Sequence, residues 1–212
     1  MIELIKRLIN ELLMSEEKRE IVLKAAKKAF AEKGFAAVGI REIAREAGLN
    51  SATLYHYFEN KEGIYAAVLE QTLDQVVAIL SEVSQAEMEP EAQLRYAIDR
   101  YIDFIKENRD VLKILIHEYN LETEMVGRLS AKFYHKFFAI ADEMLSAKKS
   151  PARVRQINPK HLLIAGIGLC TIYFVISPLF YQLEGKDQLA PEMLAEWKKS
   201  VSDLMLYWFT ER

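Results

Sequence analysis

The chain has 212 residues, of which 51% are hydrophobic and 28% charged, and this mixture excludes a disordered or low-complexity protein. Only 8 glycines and 5 prolines interrupt it, so an all-β or loop-rich fold is not expected. The single cysteine, Cys170, excludes an internal disulfide framework and fits a reducing, cytoplasmic setting, and no secretory signal is evident. The net charge of −3 excludes nucleic-acid binding through bulk positive charge alone.

Hydrophobic residues recur with helical spacing along almost the whole chain. Ile5, Leu8 and Leu12 predict a short amphipathic helix over about residues 2–13, and a second helix follows that ends at Gly34. The sequence contains no strand alternation of useful length and no internal repeat. Further helices are predicted at approximately residues 40–47, 51–57, 61–87, 90–107, 110–118, 121–147, 159–183 and 191–209.

Residues 39–58 carry the most informative pattern, GIREIAREAGLNSATLYHYF. Ala44 supplies a small residue where two short helices cross, and Gly48, four positions later, tolerates the positive φ of a tight turn. Asn50 or Ser51 can cap the second helix. The apolar residues that fill the angle between the helices are Ile40, Ile43, Ala47, Leu49, Leu54 and Phe58. This pattern predicts a helix-turn-helix unit, whose second helix lies in the major groove of DNA.

The side chains left on the outer face of this unit suit contacts with DNA. Short hydroxyl residues stand at the start of the second helix, where phosphate groups also bind well. A tyrosine and a histidine follow that reach a phosphate or a base edge, and basic residues flank the unit. The alternative is a helical corner with a solvated face and no DNA. The candidates for contact are Arg41, Ser51, Thr53, Tyr55, His56 and Lys61.

The stretch from about residue 16 to residue 65 resembles the TetR family of bacterial transcriptional repressors. The shared motifs are Ala25-Ala26-x-x-x-Phe30-x-x-x-Gly34-Phe35, Ile43-Ala44-x-x-Ala47-Gly48-Leu49 and Thr53-Leu54-Tyr55-x-Tyr57-Phe58-x-Asn60-Lys61. The resemblance implies a homodimer with two DNA-binding heads, a palindromic operator, and release of DNA when a small molecule enters the C-terminal bundle. Carried over by position, it implies that Tyr57 and Phe58 are packing residues and that the DNA-facing residues are Gly39, Arg41, Ser51, Ala52, Thr53, Tyr55, His56 and Lys61.

Two features depart from the family pattern. Many members have Thr or Ser at the position of Gly39, where the hydroxyl caps the helix and touches phosphate, so a weaker cap is expected here. Residues 1–13 precede Met14, which looks like an ordinary start for the family. They are either an early start or a real extra helix that packs on the head or the bundle, and the well-formed apolar stripe favours the extra helix.

The segment 161–183 contains no Asp, Glu, Lys or Arg, and its length is enough to span a bilayer. The competing interpretation is a helix buried in a soluble dimer, which Gly166, Gly168 and Pro178 favour because they dilute the hydrophobicity. The resemblance implies that this helix and the last one form a four-helix interface with their symmetry mates. We assign to that interface Gly166, Gly168, Trp197, Val201, Leu204, Met205 and Trp208.

Aromatic residues with polar tips cluster along the middle helices and predict a pocket for an apolar or aromatic molecule, although ordinary core is the alternative for each of them. The candidates are Tyr96, Tyr101, Phe104, His117, Tyr119, Phe133, Phe137, Tyr173 and Phe174. Cys170 lies in the most apolar helix and is expected to be an inert core thiol. The sequence shows no metal-ligand spacing, cofactor motif or enzyme signature, so we expect no metal, no cofactor and no enzymatic activity.

Together these patterns predict an all-α fold. A three-helix N-terminal head with the helix-turn-helix is joined by a long helix to a C-terminal bundle that binds a ligand and dimerises. The expected boundaries are residues 1–14 for the extra helix, 15–65 for the DNA-binding domain and 66–212 for the ligand-binding and dimerisation domain. The expected function is a repressor that a small apolar or aromatic molecule releases from a double-stranded palindromic operator. The alternative is a membrane-tethered or non-DNA-binding helical interaction protein.

Overall fold

The computed structural model describes residues 2–118, 135–140 and 158–210, together with residues 127, 131 and 142, and these contain helices and turns but no strand. The helices are α1 (Ile2–Lys33), α2 (Ile40–Glu46), α3 (Ser51–Tyr57), α4 (Lys61–Gln85), α5 (Pro90–Glu107), α6 (Arg109–Glu118), α7 (Pro159–Glu184) and α8 (Pro191–Thr210). The all-α prediction is confirmed, because apolar periodicity with proline at helix starts and glycine after helix ends marks these elements well. The helix predicted at residues 121–147 lies largely outside the described residues.

The chain divides into two compact units. The first, here called the head, comprises residues 1–72 and 110–129, and the second, the bundle, comprises residues 73–109 and 130–212. The division between these two units falls within α4 after residue 72, and most of α6 belongs to the head. Residues 2–13 form no separate helix, since α1 continues through them to Lys33 without a break.

Three aromatic rings form the centre of the head. Phe30 of α1 meets Tyr65 of α4 edge-on, with ring centroids 5.2 Å apart, and Phe35 lies 4.8 Å from Tyr65 in the turn after α1. Phe30 and Tyr65 are fully buried. Because aromatic side chains bury roughly 150–250 Å² each, this cluster is a main source of stability for the head.

Helix α2 is held against α1 by exposed ion pairs. Lys28 pairs with Glu46 at 2.6 Å, and Lys33 pairs with Glu42. Gly34, with φ of +77°, ends α1 and turns the chain towards α2. Exposed ion pairs contribute little to stability, so these contacts chiefly fix the position of α2 on a core that hydrophobic burial stabilises.

In the bundle, α5 packs against both α7 and α8. Lys198 of α8 donates hydrogen bonds to both carboxylate oxygens of Asp103 in α5, at 2.8 and 2.9 Å. These polar contacts flank an apolar seam and therefore favour one register of the two helices. The buried residues of α5 follow helical spacing and are Ile98, Ile102 and Ile105.

Helix α7 continues through a proline. Pro178 has no N–H to donate, so the carbonyl of Phe174, four residues earlier, loses its helical partner. The hydroxyl of the buried Ser177 donates to that carbonyl at 3.1 Å instead. Because this hydrogen bond from a side chain replaces the missing backbone hydrogen bond, the helix runs from Pro159 to Glu184.

One side of α7 is apolar and exposed. Its residues recur every three or four positions, and the non-glycine members are 40–71% exposed. We call this set the α7 stripe; it consists of Ile164, Gly168, Ile172, Val175, Leu179 and Leu183. By length and composition, Lys160–Glu184 and Lys61–Gln85 are long and apolar enough to cross a membrane. A continuous exposed apolar surface of this kind marks a site of association.

Part of the predicted dimer interface also packs within the chain. Val201 and Met205 of α8 are buried within the chain, at 1% and 8% exposure. A Cβ on Gly166 would lie 3.1 Å from Cε of Met205, so this glycine lets α8 approach α7 closely. Trp197 stacks on Tyr173 of α7, with ring centroids 4.7 Å apart. These predicted interface residues pack α7 on α8 in one chain because both helices also need an intrachain core.

Two other predicted interface residues, Gly168 and Leu204, are exposed. Gly168 lies on the α7 stripe, and Leu204 is 49% exposed. The side chain of Trp208 lies outside the described residues. Gly168 and Leu204 therefore remain candidates for contact with a second copy.

Candidate nucleic-acid interface

A tight turn joins α2 to α3. The amide of Gly48 donates to the carbonyl of Arg45 at 3.1 Å, and the amide of Leu49 donates to the carbonyl of Ala44 at 2.9 Å. Such a helix end needs a residue in the left-handed region, and Gly48 has φ of +66°. The predicted helix-turn-helix, with glycine in its turn, is therefore confirmed.

Asn50 caps the N-terminus of α3. Its side-chain oxygen accepts hydrogen bonds from the amide of Thr53 at 2.8 Å and from the hydroxyl of Thr53 at 3.0 Å. Of the two caps that the sequence allows, Asn50 and Ser51, the structure has Asn50. Thr53 thus stabilises the first turn of α3 and lies half-buried with Ser51 at its start.

Helix α3 has one buried side and one exposed side. Leu54 is 1% exposed and belongs to the core of the head, whereas Tyr55 is 57% exposed. Ala52 and His56 are exposed on the same helix. We call Ala52, Tyr55 and His56 the α3 outer face. They are among the residues that the sequence predicted to face DNA.

The last residue of α3, Tyr57, and the residue that follows it, Phe58, pack on the head as predicted. Phe58 is 7% exposed, and Tyr57 is partly buried against the same core. The guanidinium of Arg19 in α1 lies 5.6 Å from the centre of the Phe58 ring. These contacts hold the C-terminal end of α3, so its outer face is carried on a supported helix.

The start of α2 lacks a side-chain cap. Gly39 occupies the N-cap position in extended conformation with φ of −104°, and only its carbonyl accepts bonds, from Glu42 and Ile43 amides at 3.0 and 3.2 Å. No atom lies within 4 Å of a Cβ built on Gly39. Arg41, in the first turn, is exposed. The first turn of α2 therefore has no side-chain cap and presents one guanidinium to the outside.

Lys61 has an intramolecular partner that the sequence analysis did not predict. Its ammonium donates to the carbonyl of Phe35 at 2.9 Å and lies 4.3 Å from the centre of the Phe35 ring. The sequence analysis placed Lys61 at the start of the long helix, in a position to contact phosphate. In the structure the side chain joins α4 to the turn after α1, because a carbonyl and an aromatic face there both attract a cation.

The lysine partners of the α2 carboxylates lower the pKa values of those carboxylates. Lys33 holds the pKa of Glu42 below its ordinary value through a hydrogen bond, and Lys28 does the same for Glu46. Both carboxylates are thus engaged on α1, away from the outer face of α3. The acidic residues of α2 therefore add less repulsion towards a polyanion than free carboxylates would.

A second candidate site is a cavity of about 150 Å³ in the bundle. Its described wall is almost wholly apolar, and among the described residues Tyr101 carries a hydroxyl and Cys170 a thiol. Burial raises the pKa of the Cys170 thiol to about 12, which agrees with the predicted inert thiol. The wall residues are Val76, Ile79, Leu80 and Val83 of α4, Leu94, Ala97, Ile98 and Tyr101 of α5, Leu162, Leu163, Gly166, Ile167 and Cys170 of α7, and Phe137 and Met205.

Two of the predicted pocket residues, Tyr101 and Phe137, lie in this wall. Tyr96 instead donates to Glu82, and Tyr173 donates to the carbonyl of Gln188 at 2.7 Å. Phe104 stacks on Tyr101 and Phe174 meets Tyr173 edge-on, and neither is among the described wall residues, because bulky aromatic residues also fill ordinary core. The side chain of His117 and all of Tyr119 and Phe133 lie outside the described residues.

The sequence analysis did not identify the aliphatic part of the wall. Val76, Ile79, Leu80 and Val83 recur with the spacing of any buried helix face, so the pattern alone does not distinguish a cavity from a filled core. Only the positions of the neighbouring helices leave the space open.

Comparison with known proteins agrees with the geometry of the head. Residues 22–68 match the family described as bacterial regulatory proteins, tetR family. The chain is similar to the HTH-type transcriptional activator FasR of Mycolicibacterium smegmatis, 28% identical over 115 residues, which cover 54% of this chain and 52% of FasR. It is also similar to the HTH-type transcriptional regulator RutR of Escherichia coli, 29% identical over 151 residues, 69% of this chain and 68% of RutR. The chain thus spans about half the length of FasR and about two thirds of RutR.

Solved structures share the fold. The transcriptional regulator FadR from Bacillus subtilis, in complex with stearoyl-CoA, matches with a TM-score of 0.69 at 16% identity, over 90% of this chain and 99% of that one. The fatty acid degradation regulator FadR from Bacillus halodurans matches with a TM-score of 0.66 at 18% identity, over 89% and 94%. At these identities the likeness concerns the all-α fold.

Proposed function

Because this chain belongs to the TetR family of bacterial regulatory proteins, we propose that it is a cytoplasmic transcriptional regulator that binds DNA as a homodimer. In the form that we favour, it represses transcription until a small apolar molecule binds the bundle and releases a palindromic operator. This function needs a DNA-reading surface, a surface for a second copy and a ligand site.

The α3 outer face supports DNA binding. Helix-turn-helix proteins read bases with residues in the N-terminal part of the second helix, and Ala52 is exposed there. Tyr55 and His56 are exposed about one turn further along the same side, while Leu54 anchors the opposite side. Arg41 and the uncapped amides after Gly39 supply contacts to phosphate, which fix position without reading sequence. This exposed face on a supported helix is the single observation that carries the proposal.

The α7 stripe supports a homodimer. A two-fold interface is self-complementary, so one apolar stripe serves both partners. The small residue Gly168 in its middle permits close approach of two helices. Two heads in such a dimer would contact half-sites about 34 Å apart, one turn of the DNA helix.

The bundle cavity supports an effector site. Ligand sites are concave and mostly apolar, and the wall of this cavity is drawn from α4, α5 and α7. Helix α4 also supplies Ile64, Tyr65 and Val68 to the core of the head. A ligand that favours one position of α4 would therefore shift the population of DNA-binding conformations, with a coupling of roughly 1–3 kcal/mol.

The direction of control is a separate element of the proposal. FasR is named a transcriptional activator, whereas RutR is named a regulator. We favour repression, in which the ligand lowers affinity for DNA. A ligand that raises affinity would indicate the activator form.

The test of DNA binding starts from fragments of the host genome. Purified protein should enrich a small set of fragments, and footprinting should show a protected palindrome with half-sites about 34 Å apart. His56→Ala should change the preference among sequences, while the matched variant His161→Ala, at an exposed histidine of α7, should not. Equal binding to all fragments by the wild-type protein would contradict the proposal.

The test of the dimer also addresses the membrane alternative. Without detergent, the protein should sediment as a dimer, and Leu179→Glu in the α7 stripe should shift it towards monomer. Glu192→Gln, at an exposed position of α8, is the control and should leave the dimer intact. Recovery of the protein only with membranes would favour a tether formed by α7.

A further inference from the structure

The bundle cavity limits the size of the effector, and this inference rests on the proposed function. Its volume is about 150 Å³. An apolar protein cavity of about that volume accommodates a benzene-sized molecule, whereas sites for drug-sized ligands measure about 300–1,000 Å³. The cavity is partly open, so this volume sets the size of the part of an occupant that the wall surrounds, and that part is small.

The wall also limits the charge of the effector. Branched aliphatic side chains such as Val76, Leu94 and Ile167 dominate it, and its described residues include no Asp, Glu, Lys or Arg. An ionised group buried against such a wall would lose its hydration without gaining a partner, which is strongly unfavourable. The cavity therefore selects neutral molecules.

One wall residue carries a hydroxyl that is suited to a ligand. The hydroxyl of Tyr101 lies 3.5 Å from Oγ1 of Thr171, at the outer limit of a hydrogen bond. Burial raises the pKa of Tyr101, so the hydroxyl keeps its proton at neutral pH and remains a donor. A ligand acceptor at normal distance would replace a weak contact by a stronger one.

We propose that the bundle binds a neutral apolar molecule of roughly six to eight carbon atoms with at most one hydrogen-bonding group, and that Tyr101 donates to that group. Met205 supports this selection. Its thioether end lies against Gly166 in the cavity wall, and methionine adapts to ligands of slightly different shape.

Calorimetric titration of the full chain without DNA tests the proposal. Toluene, benzyl alcohol and benzoate share one ring and differ in polarity and charge. Toluene and benzyl alcohol should bind, and benzoate should bind at least about 100-fold more weakly because of its charge. Tyr101→Phe should weaken the binding of benzyl alcohol roughly three- to tenfold, as expected for the loss of one hydrogen bond, and should leave the affinity for toluene unchanged.

Two matched variants locate the binding. Ala97→Leu adds carbon atoms to the cavity wall and should abolish binding of toluene. Ala92→Leu makes the same change at an exposed position of α5 and should bind like the wild type. Circular dichroism and the unfolding midpoint verify that both variants are folded.

Several results would overturn the proposal. These are the absence of toluene binding, benzoate binding as tightly as toluene, unchanged binding in folded Ala97→Leu, and micromolar binding of stearoyl-CoA with none of the aromatic probes. Unchanged affinity of Tyr101→Phe for benzyl alcohol would overturn the role of Tyr101. Since these titrations contain no DNA, toluene binding without any effect on operator affinity would contradict the proposed function and leave the ligand class standing.

Discussion

Lys61→Met tests whether the lysine at the start of α4 stabilises the head or contacts phosphate. Methionine keeps most of the aliphatic stem and removes the ammonium, which donates to the Phe35 carbonyl at 2.9 Å and lies 4.3 Å from the Phe35 ring. A hydrogen bond from a charged group contributes about 1.5–3 kcal/mol, and a cation over an aromatic ring about 0.5–1 kcal/mol at exposed sites. Lys61 is half-buried, so we expect the free energy of unfolding to fall by roughly 2 kcal/mol.

Urea denaturation at a fixed protein concentration measures this loss, because dimerisation makes apparent stability depend on concentration. Lys24→Met, at an exposed lysine of α1, is the matched control and should change stability by less than about 0.5 kcal/mol. Operator affinity measured against salt concentration separates the two roles. Each lost phosphate contact lowers the salt slope by about 0.9, or about 1.8 for a dimer.

If the ammonium serves the Phe35 turn, Lys61→Met lowers stability and leaves the salt slope unchanged. Unchanged stability together with a slope reduced by about two would refute the structural role and restore the phosphate contact.

Three further outcomes are expected. Gly39→Ser should raise the free energy of unfolding by roughly 0.5–1 kcal/mol, measured by urea denaturation, because it adds a cap and restricts the unfolded chain at a φ that serine adopts readily; a loss of stability would contradict the open geometry there. In native protein at pH 8, Cys170 should react with a thiol reagent at least about a thousandfold more slowly than after unfolding, since its pKa is raised from 9.0 to about 12; rapid native labelling would show an open thiol. Because Glu42 and Glu46 have lowered pKa values, they stabilise the fold at pH values above their ordinary pKa of 4.5, and this stabilisation is lost as the pH falls through the lowered pKa values. The double variant Glu42→Gln with Glu46→Gln should flatten this part of the curve of unfolding free energy against pH. A curve identical to that of the wild type would count against the lysine pairs.

Local signals made the helices and the turn predictable from sequence. Gly34 and Gly48 stand where positive φ is needed, and Asn50 stands where a side chain has to accept an amide. These features depend on residues a few positions apart, which a linear pattern records directly. The α3 outer face was also predictable, because burial of Leu54 in the core of the head fixes which side of the helix is exposed.

Contacts between distant residues were not predictable in the same way. Lys61 meets Phe35 across 26 positions, and no local pattern records whether a lysine extends outward or folds back. Val201 and Met205 have the spacing of an interface helix, yet the chain uses them internally, since an apolar side gives no sign of which partner covers it. The cavity likewise depends on the distance between helices.

The unbroken course of α4 has a consequence for redesign. This helix supplies residues to the head's core and Val76 and Val83 to the cavity wall, so changing it would disturb both functions together. Leu94 and Ile167 face the same space from α5 and α7 and contribute nothing to the core of the head. A biosensor for a new inducer is therefore best sought by diversifying these two helices while α4 keeps its native residues.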